Sequence, residues 1–171
     1  MAEAVYPGQG RLAVSGGVRR RILPLLCAGA LCFTLAGCDH DGSYDDVSAL
    51  GGSANSYSAV SFVQTTVNGV RSGSVGKLSG TYELWNCRSQ GGEQAALTYT
   101  FEVTNGKAKL VFADPEGNVE TLVECSTGDG PIQGTVTLDL PEGKSRIKLA
   151  GAEDAAASWT LEIDRGTWSD S

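Results

Sequence analysis

Ala95-Ala96-Leu97-Thr98-Tyr99-Thr100-Phe101-Glu102-Val103 decides the fold class of this 171-residue chain. Its larger apolar side chains fall at Leu97, Tyr99, Phe101 and Val103, with Thr98, Thr100 and Glu102 between them. Alternation with period two is the mark of a strand, and one apolar face with one polar face is a strand covering a core on one side only. Thr, Tyr, Phe and Val also fit the pleated conformation well. Asn105-Gly106 follows, a strong short-range hairpin signal, and Ala108, Leu110 and Phe112 resume the alternation after it.

The same rhythm extends in both directions. Upstream, Val60-Ser61-Phe62 and Val63-Gln64-Thr65-Thr66-Val67 read as strands closed by the turn signal Asn68-Gly69. Leu78, Gly80, Tyr82 and Leu84 then share one face of a strand, with Trp85 and Cys87 on the other. Downstream, Asp114-Pro115-Glu116-Gly117-Asn118 and Pro141-Glu142-Gly143 are turns. The strands between and after them carry Val119, Val123 and Cys125, then Val136, Leu138 and Leu140, then Ile147 and Leu149, then Trp159, Leu161 and Ile163. Ala152 to Ala157, the only helix-like run, is too short to matter. About seven or eight strands with turns between them predict an all-β protein, an antiparallel, jelly-roll-like β-sandwich over one core.

Ahead of this domain the sequence obeys different rules. Arg19, Arg20 and Arg21 precede the apolar run Ile22 to Ala36, and Leu35-Ala36-Gly37-Cys38 closes it. A basic region, a short apolar stretch and small residues at its end are the parts of a secretory signal peptide. The run is broken by Pro24 and falls below the ~20 residues that a spanning helix needs. Leu35-Ala36-Gly37-Cys38 resembles the lipobox of bacterial lipoproteins, matching it at all four positions. That resemblance implies cleavage before Cys38, a diacylglycerol on its sulfur and often a third acyl chain, such as palmitate, on its amine. Two or three chains hold a protein stably at a membrane, here at the extracytoplasmic face. Arg19 to Leu23 loosely resembles a twin-arginine signal but lacks the preceding Ser or Thr and the later Lys, so general secretory export is expected. Residues 1–17 show no period, and a start at Val18 would account for them.

The expected domains are therefore a signal peptide (1–37), the lipidated Cys38 with a disordered acidic tether (38–56), the sandwich (57–165) and a tail (166–171). The tether is polar and glycine-rich, too poor in apolar area to offset its ordering entropy. Without residues 1–37 the chain has nine basic and nineteen acidic residues, a net charge of −10. Nucleic acid needs a positive face, so it is not an expected partner. Cys27 and Cys32 leave with the signal, and Cys38 takes the lipid. Cys87 and Cys125 remain in an oxidising compartment and are expected to form a disulfide, worth about 3–4 kcal/mol by chain entropy.

Catalytic chemistry is sparse. The single histidine, His40, lies in the tether, which removes histidine-based nucleophilic catalysis from the sandwich. Paired carboxylates remain open to a small hydrolase. Asp114 to Asn118 vaguely resembles a calcium loop but has glycine fourth rather than sixth, so an ordinary turn is the better reading. Neither a metal nor a cofactor is expected. Trp85 and Trp168 are the candidate stacking platforms for a glycan, because Trp159 is in phase with Leu161 and Ile163 and belongs to the core. Leu140-Pro141-Glu142-Gly143-Lys144-Ser145-Arg146-Ile147-Lys148-Leu149-Ala150-Gly151 resembles an edge hairpin of bacterial extracellular jelly-roll and carbohydrate-binding-type sandwiches. It implies a turn and no binding residues. The expectation is a membrane-anchored, non-catalytic binding or interaction module whose partner is an envelope protein or a glycan. The alternative is a glycan- or solute-capturing accessory subunit of a transporter or secreted enzyme complex.

Overall fold

The computed structural model describes residues 43–170. They form one short helix, α1 (Val47–Gly51), and nine strands: β1 (Ser56–Val60), β2 (Val63–Val67), β3 (Val70–Val75), β4 (Lys77–Ser89), β5 (Glu93–Ala113), β6 (Val119–Ser126), β7 (Ile132–Leu140), β8 (Gly143–Ile163) and β9 (Thr167–Trp168). All pairings are antiparallel. The expected antiparallel β-sandwich is what the chain builds, and its sheet stays open at two edges.

Its construction is a five-lane sheet bent across the middle. β1 leads through Ser61-Phe62 into β2, and β3 leads through Gly76 into β4. β8 and β5 run unbroken through the bend, and β6 continues into β7. At the bend Ser61, Gly106, Glu153 and Asp154 take positive φ of 56°, 68°, 60° and 54°. The first sheet thus holds β1, β4, the first half of β8, the second half of β5, and β6. The second holds β2, β3, the remaining halves of β8 and β5, and β7. Inward residues of both, Leu84, Leu110 and Ile147 from one and Leu97, Phe101 and Leu161 from the other, make one buried cluster. Hydrogen bonds cross it, from Tyr99 Oη to Leu122 O at 3.4 Å and from Gln64 Nε2 to Tyr82 Oη at 3.0 Å.

Asn105-Gly106 was expected to reverse the chain. Its glycine does adopt the left-handed conformation, yet the chain only bends there, because Ala152 and Glu153 of β8 lie opposite and the ladder resumes at Lys107. Ala152 to Ala157 is strand rather than helix.

Two further expectations are corrected. Cys87 and Cys125 are free thiols. They sit on β4 and β6, two strands of the first sheet, with β8 and β5 between them. Cys87 is level with Ser145 and Cys125 with Gly151, so roughly 14 Å across strands and 20 Å along them separate the pair, far beyond disulfide reach. Residues 43–55 of the expected acidic tether are also ordered. From Ser43 the chain is packed against the outer face of the first sheet, where Tyr44 and Leu50 join Val111, Ala150 and Ala152 in a second buried cluster. Small residues on that face leave room for this strap, and Tyr44, only 2 % exposed, fills it. Cys38 and His40 lie outside the described residues. Among the described residues no helix is long and apolar enough to cross a membrane.

Candidate functional site

Trp85 and Trp168 do come together, as partners across the β4–β9 ladder, but not as a platform. A bulge between Glu83 and Trp85 turns Trp85 into the core, where it is 0 % exposed. Its Nε1 donates to Arg165 O at 2.8 Å. Trp168 is half-buried, donates Nε1 to Gly69 O at 3.1 Å and lies 5.9 Å from the Arg71 guanidinium. Arg71 also donates to Thr66 Oγ1 at 2.9 Å and to Ser169 O. The two tryptophans clasp the tail to the sandwich, and buried Trp85 has no ring face open to a sugar. Trp159 is core, as its phase predicts.

A site of a different kind lies at the mouth, the end opposite the bend. A cleft of about 830 Å³ opens there between the ends of β5, β6 and β7. Antiparallel register brings its walls together: Gln94 opposite Asp139, Glu93 opposite Leu140, and Phe112 opposite Glu120. Phe112 and Leu140 form an apolar floor, with Glu93, Gln94, Asp114, Glu120, Thr137, Asp139 and Arg165 around it.

Most of these polar groups are already oriented by neighbours. Gln94 Nε2 donates to Asp139 Oδ1 at 2.8 Å, and Arg165 Nη1 is 3.3 Å from Glu93 Oε1. Asp114 accepts from the main-chain N–H of Glu116 and Asn118 at 2.9 and 2.8 Å, and from Asn118 Nδ2 at 2.7 Å. Burial pushes its pKa up, but the donors at Asn118, Glu116 and Gly117 outweigh burial and hold the carboxyl below its usual 3.8. Cys87 faces the same end. Burial, with Glu93 adding and Arg165 opposing, raises its thiol pKa and makes it a poor nucleophile. Among the described residues no three His, Cys, Asp or Glu side chains converge as a metal site. What the cleft presents is a ring of fixed hydrogen-bond acceptors, one guanidinium donor and an apolar base.

No family model matches this chain, and no curated protein matches it. Its fold is similar to that of solved carbohydrate-binding modules. A variant of a family 29 module complexed with mannohexaose has 12% identity and a TM-score of 0.37, covering 67% of this chain and 86% of that one. A variant with cellulohexaose has 13% identity and a TM-score of 0.37 over 67% and 85%. A further family 29 module has 15% identity and a TM-score of 0.38 over 66% and 82%. At such TM-scores the likeness carries nothing about ligands, so the site rests on this chain's own residues.

The sequence pointed to tryptophans and missed the cleft. Asp114, Asp139 and Glu93 are each next to a turn, which is a signal for loop-end position. That Glu120 stands beside Phe112 is a fact of ladder register and has no sequence signature.

Proposed function

We propose that this chain is a non-catalytic binding module of the cell envelope, held at the membrane by a lipid on Cys38, and that the mouth cleft takes a polyhydroxylated ligand, a glycan. The cleft carries the reading. Vicinal hydroxyls donate well to paired carboxylate and amide oxygens, and the apolar side of a sugar ring suits a floor of Phe112 and Leu140. Glu93, Asp114 and Asp139 are each engaged by a neighbour and so present fixed acceptors to such a ligand. The anchor rests on the lipobox resemblance at Leu35 to Cys38.

The test is titration of the full chain, in detergent, against a panel of neutral oligosaccharides, followed by mass analysis of the sugars. Expected are saturable binding to at least one glycan, no cleavage, and affinity falling about tenfold or more in Asp139→Ala and Glu120→Ala, the cost of one or two lost hydrogen bonds to a charged acceptor. Cleaved sugar would make the protein a hydrolase. Binding indifferent to both substitutions would move the ligand away from this cleft.

A further inference from the structure

The mouth does not account for the other end of the sheet, the edge made by β1 and β2. Four of the five large hydrophobic side chains that the described chain leaves exposed lie within Tyr57–Val67: Tyr57, Val60, Val63 and Val67, between 42% and 63% exposed. Across the same region, residues 56–70 carry no charge at all, in a chain of net charge −7. β2 pairs only with β3, so its other side is a bare sheet edge. Folded proteins ordinarily guard such an edge with lysine, proline or an inward charge. None is present in Val63–Val67.

We propose that β2 is a self-association edge, at which a second copy of this chain pairs antiparallel about Thr65. The sequence of the strand names the occupant. On the outer face it presents Val63, Thr65 and Val67, a pattern that reads the same in both directions. A twofold axis through Thr65 sets Val63 against the partner's Val67 and Thr65 against the partner's Thr65, the self-complementary arrangement an isologous interface requires. Any other register sets valine against a polar residue or strips the pairing to two or three residues. Charge selects the same place. Two copies of an acidic chain repel wherever carboxylates meet, and this uncharged edge is where their approach costs least. The positive φ of Ser61 at one end and the Asn68-Gly69 turn at the other confine the pairing to five residues on each side. So short an interface is weak, and the dimer is concentration-dependent.

The register gives a test that needs no knowledge of any ligand. In the proposed pair the Thr65 Cβ atoms are about 5 Å apart, whereas the two Val67 Cβ atoms are roughly 13 Å apart along the strands. Membranes carrying the full chain as Thr65→Cys or Val67→Cys are oxidised, and disulfide-linked dimer is measured, with the native chain as background for its own cysteines. Expected is a Thr65→Cys dimer at least about tenfold more abundant than the Val67→Cys dimer. A Val63→Lys/Val67→Lys version of Thr65→Cys should lose it while keeping the native melting curve. Equal yields, no dimer from either variant, or a crosslink from residue 65 to a different protein would each overturn the proposal. None of these outcomes depends on the glycan cleft, so the two readings fail separately.

Discussion

Lys148 is the residue whose environment asks most of the fold. It is 0 % exposed on the outer face of the first sheet, under the strap. Its ammonium donates to Ala49 O at 2.8 Å and Ala54 O at 3.1 Å, with Glu83 opposite it in the ladder. Burial lowers its pKa, Glu83 counteracts this and Arg146 reinforces it. Two strap carbonyls accept from the ammonium, and the Glu83 carboxylate favours its charged form. Lys148→Met keeps the bulk but orphans both carbonyls, and should cost about 2–3 kcal/mol in urea unfolding. An unchanged midpoint would mean that the strap's carbonyls are hydrated and the lysine holds nothing. Asp114 gives the corresponding prediction in pH. Its carboxyl is held below 3.8, so its contribution is present above that value and lost as pH falls through the lowered pKa. Asp114→Ala should cost about 1–2 kcal/mol at neutral pH, with the gap to the native chain closing on acidification. A gap independent of pH would assign the loss to packing rather than to the ionised carboxylate.

At the scale of elements, the strap from Ser43 to Asn55 is the part that sequence reading failed to see. It is held by Tyr44, whose hydroxyl donates to Glu124 Oε1 at 2.8 Å and whose ring lies 4.8 and 4.2 Å from the ammonium groups of Lys107 and Lys109. Lys109 in turn pairs with Asp45 at 2.8 Å, and Asn55 Oδ1 accepts from the main-chain N–H of Glu83. Tyr44→Ala should therefore loosen the strap alone: hydrogen exchange in 43–55 should quicken severalfold while β5 and β8 stay protected. Uniform loss of protection would show that strap and sandwich unfold as one unit. The strap was illegible because its composition is a spacer's, with only Tyr44 and Leu50 to bury, and what they bury against is brought together by folding. The strands were legible because period two survives in any single strand. Their bends were not, since Asn105-Gly106 carries the same local signal whether the chain reverses or merely turns a corner. Trp85 was misread for a related reason: a bulge shifts phase by one residue, and alternation then assigns the wrong face.

At the scale of the whole molecule, the question is what closes a sheet folded on itself when no covalent link crosses it. β5 and β8, each 21 residues long, pair along nearly their whole length and hold both sheets. The core between the halves and the Trp168 clasp do the rest, so the expected cross-link is both absent and unneeded. The cysteine count invited the expectation, yet count and compartment say nothing about distance, and two lanes of sheet stand between the thiols. Their chemistry agrees with their placement. Burial raises both pKa values, with Glu93 adding to the rise at Cys87 and Asp129 and Glu124 adding to it at Cys125, so neither is a ready nucleophile. The melting temperature should accordingly be the same with and without reductant, to within about 1 °C. A disulfide worth about 3–4 kcal/mol would shift it by roughly 10 °C in a domain of this size. In the native state an alkylating reagent should label half-buried Cys87 slowly and Cys125, 1% exposed, only on unfolding. A reductant-sensitive melt, with neither thiol labelled before reduction even on unfolding, would require β4 and β6 to approach each other, which this strand order forbids, and the bent five-lane sheet would have to be abandoned along with the free thiols.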